Sequence, residues 1–468
     1  MKQIIIICSI AFLIVSCSSN AQDIIGDWTG EVRGDNIALP INFHISKTDG
    51  NYSSTIDFLS QKVMGFKTSS TTFNDNRLLI TIEGQGIVFD GKLKDGILSG
   101  SYTQRTNRLS FKLSRLLIKE TTKKVRPQDP KKPYPYSSEE VRFTNSKANH
   151  IKLAGTLTFP KDIKNPPVAI LITGTGAQNR DEEIFNHRPF LVLSDYLTRK
   201  GIAVLRYDDR GVGQSEGTLK DTNSEDLATD VEAAIRYLKT RTDISPQKIG
   251  LIGHSEGGLI APIVASKDKS IAFIVSLAGT GADGLTLLLS QERRQAELRG
   301  VSTNEIDFNE RILKRAFTIV KEENDFSKIS ELVQKDLELF RKENANNPYI
   351  NLLTDNEITG HTKAASNPKN IYFFKTDPKQ FWEKVQCPIL AINGDKDSQV
   401  SSKIHLAAIK EAIEEGGNSE TTIKELKGLN HLFQTAKTGS VEEYEQIEET
   451  FSPKALLMIK DWVIAHTK

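Results

Sequence analysis

Hydrophobic and polar positions follow different rhythms in successive parts of the 468-residue chain. From about residue 23 to 117, apolar and polar side chains alternate in the short runs "GDWTGEVR", "ALPINFHISK", "YSSTIDFL", "RLLITIEG", "IVFDGKLKDGILSGSYTQ" and "LSFKLSR". A period of two puts one face of a strand in a core. Turn residues recur between the runs, and Asp95-Gly96 sits between two alternating segments as a hairpin signal. A small antiparallel β-barrel or sandwich is expected. Trp28 reads as one of its core side chains, with a ligand platform as the alternative.

Residues 118–137 then concentrate Lys and Pro with few apolar positions, so they are expected to form an extended, exposed linker. Beyond them the rhythm changes again. "EVRFTN" and "IKLAGTLTF" suggest an opening hairpin, after which apolar, β-branched runs ("PVAILITG", "IAVLRYDD", "KIGLIGHS", "IAFIVSLAG", "CPILAING") alternate with helical segments such as "FLVLSDYLTRKG" and "DLATDVEAAIRYLKTR". Strands buried on both faces between helices specify a doubly wound, mostly parallel α/β sheet over 138–468. One stretch, about 281–380, is polar and mainly helical, and Leu313, Ala316, Phe317 and Val320 mark one helix face within it. That is far too long for a plain connection between two strands, so it is expected to be a helical cap.

The first 22 residues have a different layout: Lys2, an apolar run through Val15, then small and polar residues. This is the pattern of an export signal and is too short for a membrane span. "IVSC" has the order of a bacterial lipoprotein signal, making Cys17 the expected lipidated N-terminus; cleavage after Ala21 in "SNA" is the alternative. Both place the protein outside the cytoplasm, and the lipid at Cys17 is the only membrane attachment implied. Without this segment Cys387 is the only cysteine, so no intrachain disulfide is expected. The chain carries 61 basic and 60 acidic residues, a balance that implies no nucleic acid as partner.

The chemistry centres on "KIGLIGHSEGGLIAPIVAS". A GxSxG string is weak by itself, but here Ser255 lies between a buried run and a helical one, as a strained turn presenting a nucleophile requires. Gly253 and Gly257 allow the turn because a Cβ at either place would strike its neighbours. A serine hydroxyl needs a base. His431, in the Gly-containing loop after "TIKELKG", is the candidate among eight histidines; His254 adjoins Ser255 but is expected to point away from it. "NGDKDSQV" offers Asp397 as the carboxylate that orients the base, with Asp395 as the alternative, and Ser, Asp, His is the chain order expected when the acid follows a strand between the two. For an oxyanion hole, Glu256 supplies one backbone N–H and Thr175, in "ILITGTGAQNRDE", the other, with Gly176 as the alternative. "GTGAQN" matches neither phosphate-binding glycine pattern, and no cofactor or metal is expected.

"GTGAQNRDE", "RPFLVLSDYLTRKGIAVLRYDDRGVGQSEG", "GHSEGG", "NGDKDSQV" and "GLNHLFQ", in this order over about Glu139 to Lys468, resemble the α/β-hydrolase superfamily, in particular its serine aminopeptidase-like branch containing bacterial carboxylesterases. The resemblance implies Ser255, Asp397 and His431 as a catalytic triad, the cap as the acyl or alcohol pocket, and Arg180, Asp181, Asp209 and Arg210 as braces of the sheet edge. "GTGAQ" departs from relatives that carry a serine and proline there, which leaves the second oxyanion donor open. The expected activity is hydrolysis of small carboxylic esters through an acyl-enzyme. Two other readings remain: an aminopeptidase, which needs an anionic cap site such as Glu322-Glu323 for the substrate ammonium, and an inert surface lipoprotein that binds ligand through its β domain.

Overall fold

The computed structural model describes residues 23–34, 37–58, 63–82, 86–104, 107–115 and 126–467. The export segment with Cys17 and Ala21 therefore lies outside the described residues, as do residues 118–125 of the expected linker. The chain divides into two compact units between Lys123 and Lys124.

The first unit is a single antiparallel sheet of nine strands, β1 (Gly26–Gly34), β2 (Ile37–Thr48), β3 (Asn51–Phe58), β4 (Val63–Lys67), β5 (Ser70–Asn74), β6 (Arg77–Ile82), β7 (Ile87–Lys94), β8 (Ile97–Gln104) and β9 (Asn107–Arg115). Their order is β4-β3-β2-β1-β9-β8-β7-β6-β5, so the two edge strands are consecutive in the chain and the sheet must curl to bring its ends together. At that seam the Ser54 and Thr71 hydroxyls lie 2.7 Å apart. Alternation supplies the core: Trp28, Phe43, Phe89 and Phe111 pack inside, and the Trp28 indole N–H donates to the Ile24 carbonyl at 2.9 Å. Trp28 is thus a core residue, not a ligand platform. Asp95 and Gly96 both have positive φ in the turn between β7 and β8, as the Asp-Gly signal requires.

The second unit is an eight-stranded sheet of β10 (Ser137–Asn145), β11 (Ile151–Phe159), β12 (Val168–Ile172), β13 (Ala203–Tyr207), β14 (Ile249–His254), β15 (Ile274–Leu277), β16 (Ile389–Gly394) and β17 (Thr421–Leu426), in the order β10-β11-β13-β12-β14-β15-β16-β17. β10 pairs antiparallel with β11, and β11 with β13; all remaining pairs are parallel. The pleat of β12 shows why the run is apolar throughout. Val168, Ile170 and Ile172 enter the core beneath α2 (Ser224–Lys239), α3 (Gly257–Lys267) and α10 (Ser402–Glu415), whereas Ala169 and Leu171 face α1 (Pro189–Arg199) and α11 (Pro453–His466). Every position of the strand meets a helix layer, so none can be polar.

Between β15 and β16 stand α4 (Gly284–Leu298), α5 (Thr303–Glu322), α6 (Ile329–Glu343), α7 (Asp355–Ala365), α8 (Pro368–Lys375) and the short α9 (Lys379–Trp382). Helices α5 to α8 share a core of their own, with Leu313, Ala316, Phe317 and Val320 on the buried face of α5. Trp382 on α9 instead belongs to the sheet core, where its indole N–H reaches the Thr280 carbonyl at 3.1 Å. The cap therefore leaves and rejoins the sheet at neighbouring points.

The exposed linker expected over 118–137 needs correction at three of its described residues. Arg126, Asp129 and Tyr136 are buried within the second unit. The Arg126 guanidinium donates to the carbonyls of Phe185, Asn186, Glu445 and Ile447. Poverty in apolar residues suggested exposure, but a guanidinium has five donors and is anchored equally well by unpaired carbonyls.

At the cap entrance, His405 of α10 accepts the N–H groups of Gly281 and Ala282 through Nδ1, both at 3.2 Å. Burial pulls its pKa down to about 4, so the fold holds it neutral. An unfolded histidine titrates near 6.5. The folded-state pKa is depressed, so the stabilisation is present above pH ~6.5 and is lost as pH falls towards 4, by about 3 kcal/mol for this group. Urea titrations at pH 7 and pH 4 should show a smaller acid loss in His405→Asn, whose side-chain oxygen can still accept; equal losses in parent and variant would contradict this assignment.

Candidate active site

Ser255 follows the last residue of β14 and adopts φ +53°, the left-handed region that costs a non-glycine residue about 1–2 kcal/mol. Its N–H donates to the Leu277 carbonyl at 2.9 Å, its carbonyl accepts from Gly258 at 2.9 Å, and α3 starts two residues on. The flanking glycines have steric reasons. A Cβ on Gly253 would lie 2.0 Å from the Gly257 carbonyl oxygen, and one on Gly257 would lie 2.2 Å from that of Ile172. Strand, turn and helix are thus packed backbone against backbone.

Asp397 and His431 come together. His431 Nδ1 lies 2.7 Å from Asp397 Oδ2, with both side chains buried, while Asp397 Oδ1 accepts the N–H groups of Gln399 and Val400 at 2.8 and 2.9 Å. Three donors therefore meet this carboxylate and fix its rotamer. Asp395 is exposed and accepts the Gly428 N–H at 2.7 Å, which makes it a turn residue. The loop carrying His431 is folded on Asn430, whose side-chain oxygen accepts from Leu432 and Gln434. No hydrogen bond joins the Ser255 hydroxyl to His431 among the described residues; the connection runs through the neighbouring residue, as His254 Nε2 lies 2.9 Å from the His431 carbonyl oxygen.

The backbone N–H groups of Glu256 and Thr175 donate to no other described residue, consistent with an open anion-binding position at the start of α3. The side chain of Glu256 is turned aside: it accepts from the Ser224 hydroxyl at 2.8 Å and pairs with Lys369 of α8 at 3.6 Å. Two buried carboxylates hold the loop carrying Thr175. Asp209 accepts from the Thr173 hydroxyl at 2.7 Å and the Gln178 N–H at 3.0 Å, and burial raises its pKa to about 7. Glu182 accepts the Gly174 N–H at 2.9 Å and meets His254 Nδ1 at 2.8 Å. Arg180 engages Asp208, Arg206 pairs with Asp181, and Arg210 pairs with Asp230 at 2.7 Å, a charged border along this edge.

Sequence reasoning missed Glu182, and for His254 it gave only a direction away from Ser255, without the partners that its ring meets. In the structure His254 is buried between Glu182 and the loop carrying His431. The sequence signal was slight: a Glu eight residues after Gly174, where only a fold can make the two meet. In the cap, Glu322 is exposed and Glu323 Oε1 accepts the Asp325 N–H at 2.7 Å, so this pair faces solvent and its own loop. Among the described residues no cluster of His, Cys, Asp or Glu is arranged to hold a metal ion, and no helix is long and apolar enough to cross a membrane.

The steric reading of this elbow makes a paired prediction. Gly257→Ala should cost about 3 kcal/mol or more because backbone must move. Gly360→Ala, in mid-α7 with nothing within 4 Å of the added methyl, should gain about 0.5–1 kcal/mol. Denaturant unfolding measures both, and a tolerated Gly257→Ala would contradict the packing described.

A model of the X-Pro dipeptidyl-peptidase (S15) family matches residues 131–416. Esterase EstD of Thermotoga maritima is 25% identical over 283 residues, covering 60% of this chain and 58% of that protein, so the match spans little more than half the length of this relative. The Pyrococcus furiosus esterase Pf2001 aligns with 71% of this chain and 92% of its own at a TM-score of 0.42 and 16% identity. The α/β hydrolase GrgF from Penicillium sp. sh18 aligns with 71% and 99% at 0.43 and 17%. With the family model covering more than half of its residues, the chain belongs to the S15 peptidase family of the α/β-hydrolase superfamily.

Proposed function

We propose that this protein is a serine hydrolase that cleaves small carboxylic esters through an acyl-enzyme, with Ser255 as nucleophile, His431 as base and Asp397 as its orienting carboxylate. The observation that carries the reading is the strained, left-handed Ser255 at the head of α3, one residue from a side chain bonded to the loop of a buried Asp397–His431 pair. In the first half-reaction Ser255 Oγ attacks the ester carbonyl while its proton passes to His431 Nε2. Backbone N–H groups of Glu256 and Thr175 receive the oxyanion. The C–O bond breaks, and the departing alkoxide takes the proton from His431. Water then attacks the acyl-serine with His431 again as base, releasing the acid and restoring the serine. Asp397, by accepting from Nδ1, leaves Nε2 as the basic nitrogen and stabilises the imidazolium that forms.

The family match and the esterase relative support a hydrolase and differ in the bond they suggest. A peptidase reading draws on the S15 model. It requires an anionic receiver for the substrate's free ammonium, and the acidic side chain next to Ser255 in the chain, Glu256, is engaged by Ser224 and Lys369. That favours esters. Ser255→Ala should lower hydrolysis of p-nitrophenyl acetate by at least ~1000-fold, as loss of a triad member does. Parent-like turnover would exclude the mechanism. A parent enzyme that cleaves X-Pro anilides with higher kcat/KM than aryl esters would move the assignment to the peptidase.

Export and acylation at Cys17 belong to the same proposal and rest on the layout of the first 22 residues. Cys17→Ala should abolish labelling by a fatty acid probe and move the protein from the membrane to the soluble fraction; cleavage after Ala21 instead would leave its distribution unchanged.

A further inference from the structure

Three loops meet at one buried side-chain pair that the hydrolytic mechanism does not use. Glu182, itself at φ +51° and 3% exposed, places Oε1 2.9 Å from the Gly174 N–H and 2.8 Å from His254 Nδ1. His254 Nε2 continues to the His431 carbonyl oxygen at 2.9 Å, and the two imidazole rings lie 4.8 Å apart. Each anchor is therefore a chain neighbour of a working group or part of the same residue: Gly174 precedes Thr175, His254 precedes Ser255, and the carbonyl belongs to His431 itself.

The protons can be counted. A peptide carbonyl only accepts, so His254 Nε2 must carry hydrogen. Nδ1 faces Glu182 Oε1, which also accepts the Gly174 N–H; with Glu182 ionised that oxygen only accepts, and Nδ1 donates as well. Both nitrogens donating means an imidazolium against a carboxylate. Burial lowers the pKa of His254, but the charge of Glu182 and its hydrogen bond outweigh this and raise it above the ordinary value. The groups facing His254 are Glu182, the His431 ring and, beyond it, Asp397. Glu182 Oε2 is buried with no hydrogen-bond partner among the described residues, so the pair's charge is balanced mainly across the single Oε1–Nδ1 contact. A buried pair held this way contributes little stability beyond a hydrophobic replacement, and it is better explained by the geometry that it fixes.

We propose that Glu182 and His254 form a positioning dyad that holds the oxyanion loop, the nucleophile turn and the base loop in register, so that the acyl transfer proposed above depends on it without either residue touching substrate. The proposal rests on Ser255 and His431 being nucleophile and base. Its consequence is a cost confined to the chemical step. A shift of the His431 backbone or of Thr175 by a fraction of an ångström misaligns proton transfer and oxyanion donors while leaving the acyl pocket unchanged.

The test uses the two near-isosteres of His254 together with Glu182→Gln. In His254→Asn the amide lies where Nδ1 was, keeping contact with Glu182 and losing the His431 carbonyl. In His254→Gln the amide reaches the carbonyl and loses Glu182. Aryl-ester kcat is measured per active site titrated with an organophosphate, so that misfolded protein does not count. His254→Asn is expected to lose about 10–100-fold in kcat with KM within about threefold of the parent, and His254→Gln and Glu182→Gln smaller factors. If His254→Asn and His254→Gln both keep kcat per titrated site within twofold of the parent, the positioning role is overturned. Nitrogen NMR of the unmodified protein at pH 7 gives a readout independent of any variant: both nitrogens of His254 protonated agrees with the dyad, and a neutral ring refutes it. Activity surviving Ser255→Ala would instead remove the hydrolase reading, a separate failure seen before these variants are compared.

Discussion

The left-handed backbone of Ser255 is the constraint on which the site depends. A non-glycine residue stays at φ +53° only where its surroundings over-determine it. Here they do so from three sides: β15 accepts its N–H, the first turn of α3 takes its carbonyl, and the absent side chains of Gly253 and Gly257 let helix and strand close to distances that a Cβ would forbid. A turn of this kind between a strand and a helix is the one that presents a side chain at the sheet edge beside the first N–H groups of the helix.

From that turn outward, the loops are fastened by buried polar groups as well as by apolar packing such as that of Leu429 and Phe433. Asp397 bonds His431, Asn430 folds the loop that carries it, Asp209 and Glu182 hold the segment with Thr175, and Arg126 pins the loop near Glu445 and Ile447. Loops at the carboxyl ends of strands cannot be buried in hydrocarbon because their backbone needs partners. Charged and amide side chains supply those partners with defined direction, which an apolar contact does not. The sheet beneath gives rigidity and the polar shell gives aim.

Much of this was legible in the sequence. The change from period two to alternating strand and helix located the two units, because each rhythm is fixed by local geometry. The cap was legible as an excess of length, and Ser255 because strand, elbow and helix are contiguous. The choice of Asp397 over Asp395 followed from strand-end spacing, and the coordinates put Asp397 against His431 while Asp395 caps a turn. What sequence reasoning lost has one physical cause: partnerships between residues far apart in the chain. Arg126 lies in a polar stretch and finds carbonyls some 320 residues away, and His254 bonds Glu182 and His431, 72 and 177 positions distant. Neither contact leaves a periodicity, so a low apolar content was read as exposure and the histidine beside Ser255 was given no partner.

The central claim is that the hydroxyl at the strained turn is the nucleophile and that the two backbone donors receive the charge which develops when it attacks. A crystal structure of the protein after reaction with a fluorophosphonate ester tests this most directly. The account predicts a phosphonyl group on Ser255 Oγ, with its P=O oxygen within hydrogen-bond distance of the Glu256 and Thr175 N–H groups and His431 Nε2 turned to the serine oxygen. A protein that stays unmodified while folded, or one labelled at another residue, would contradict it.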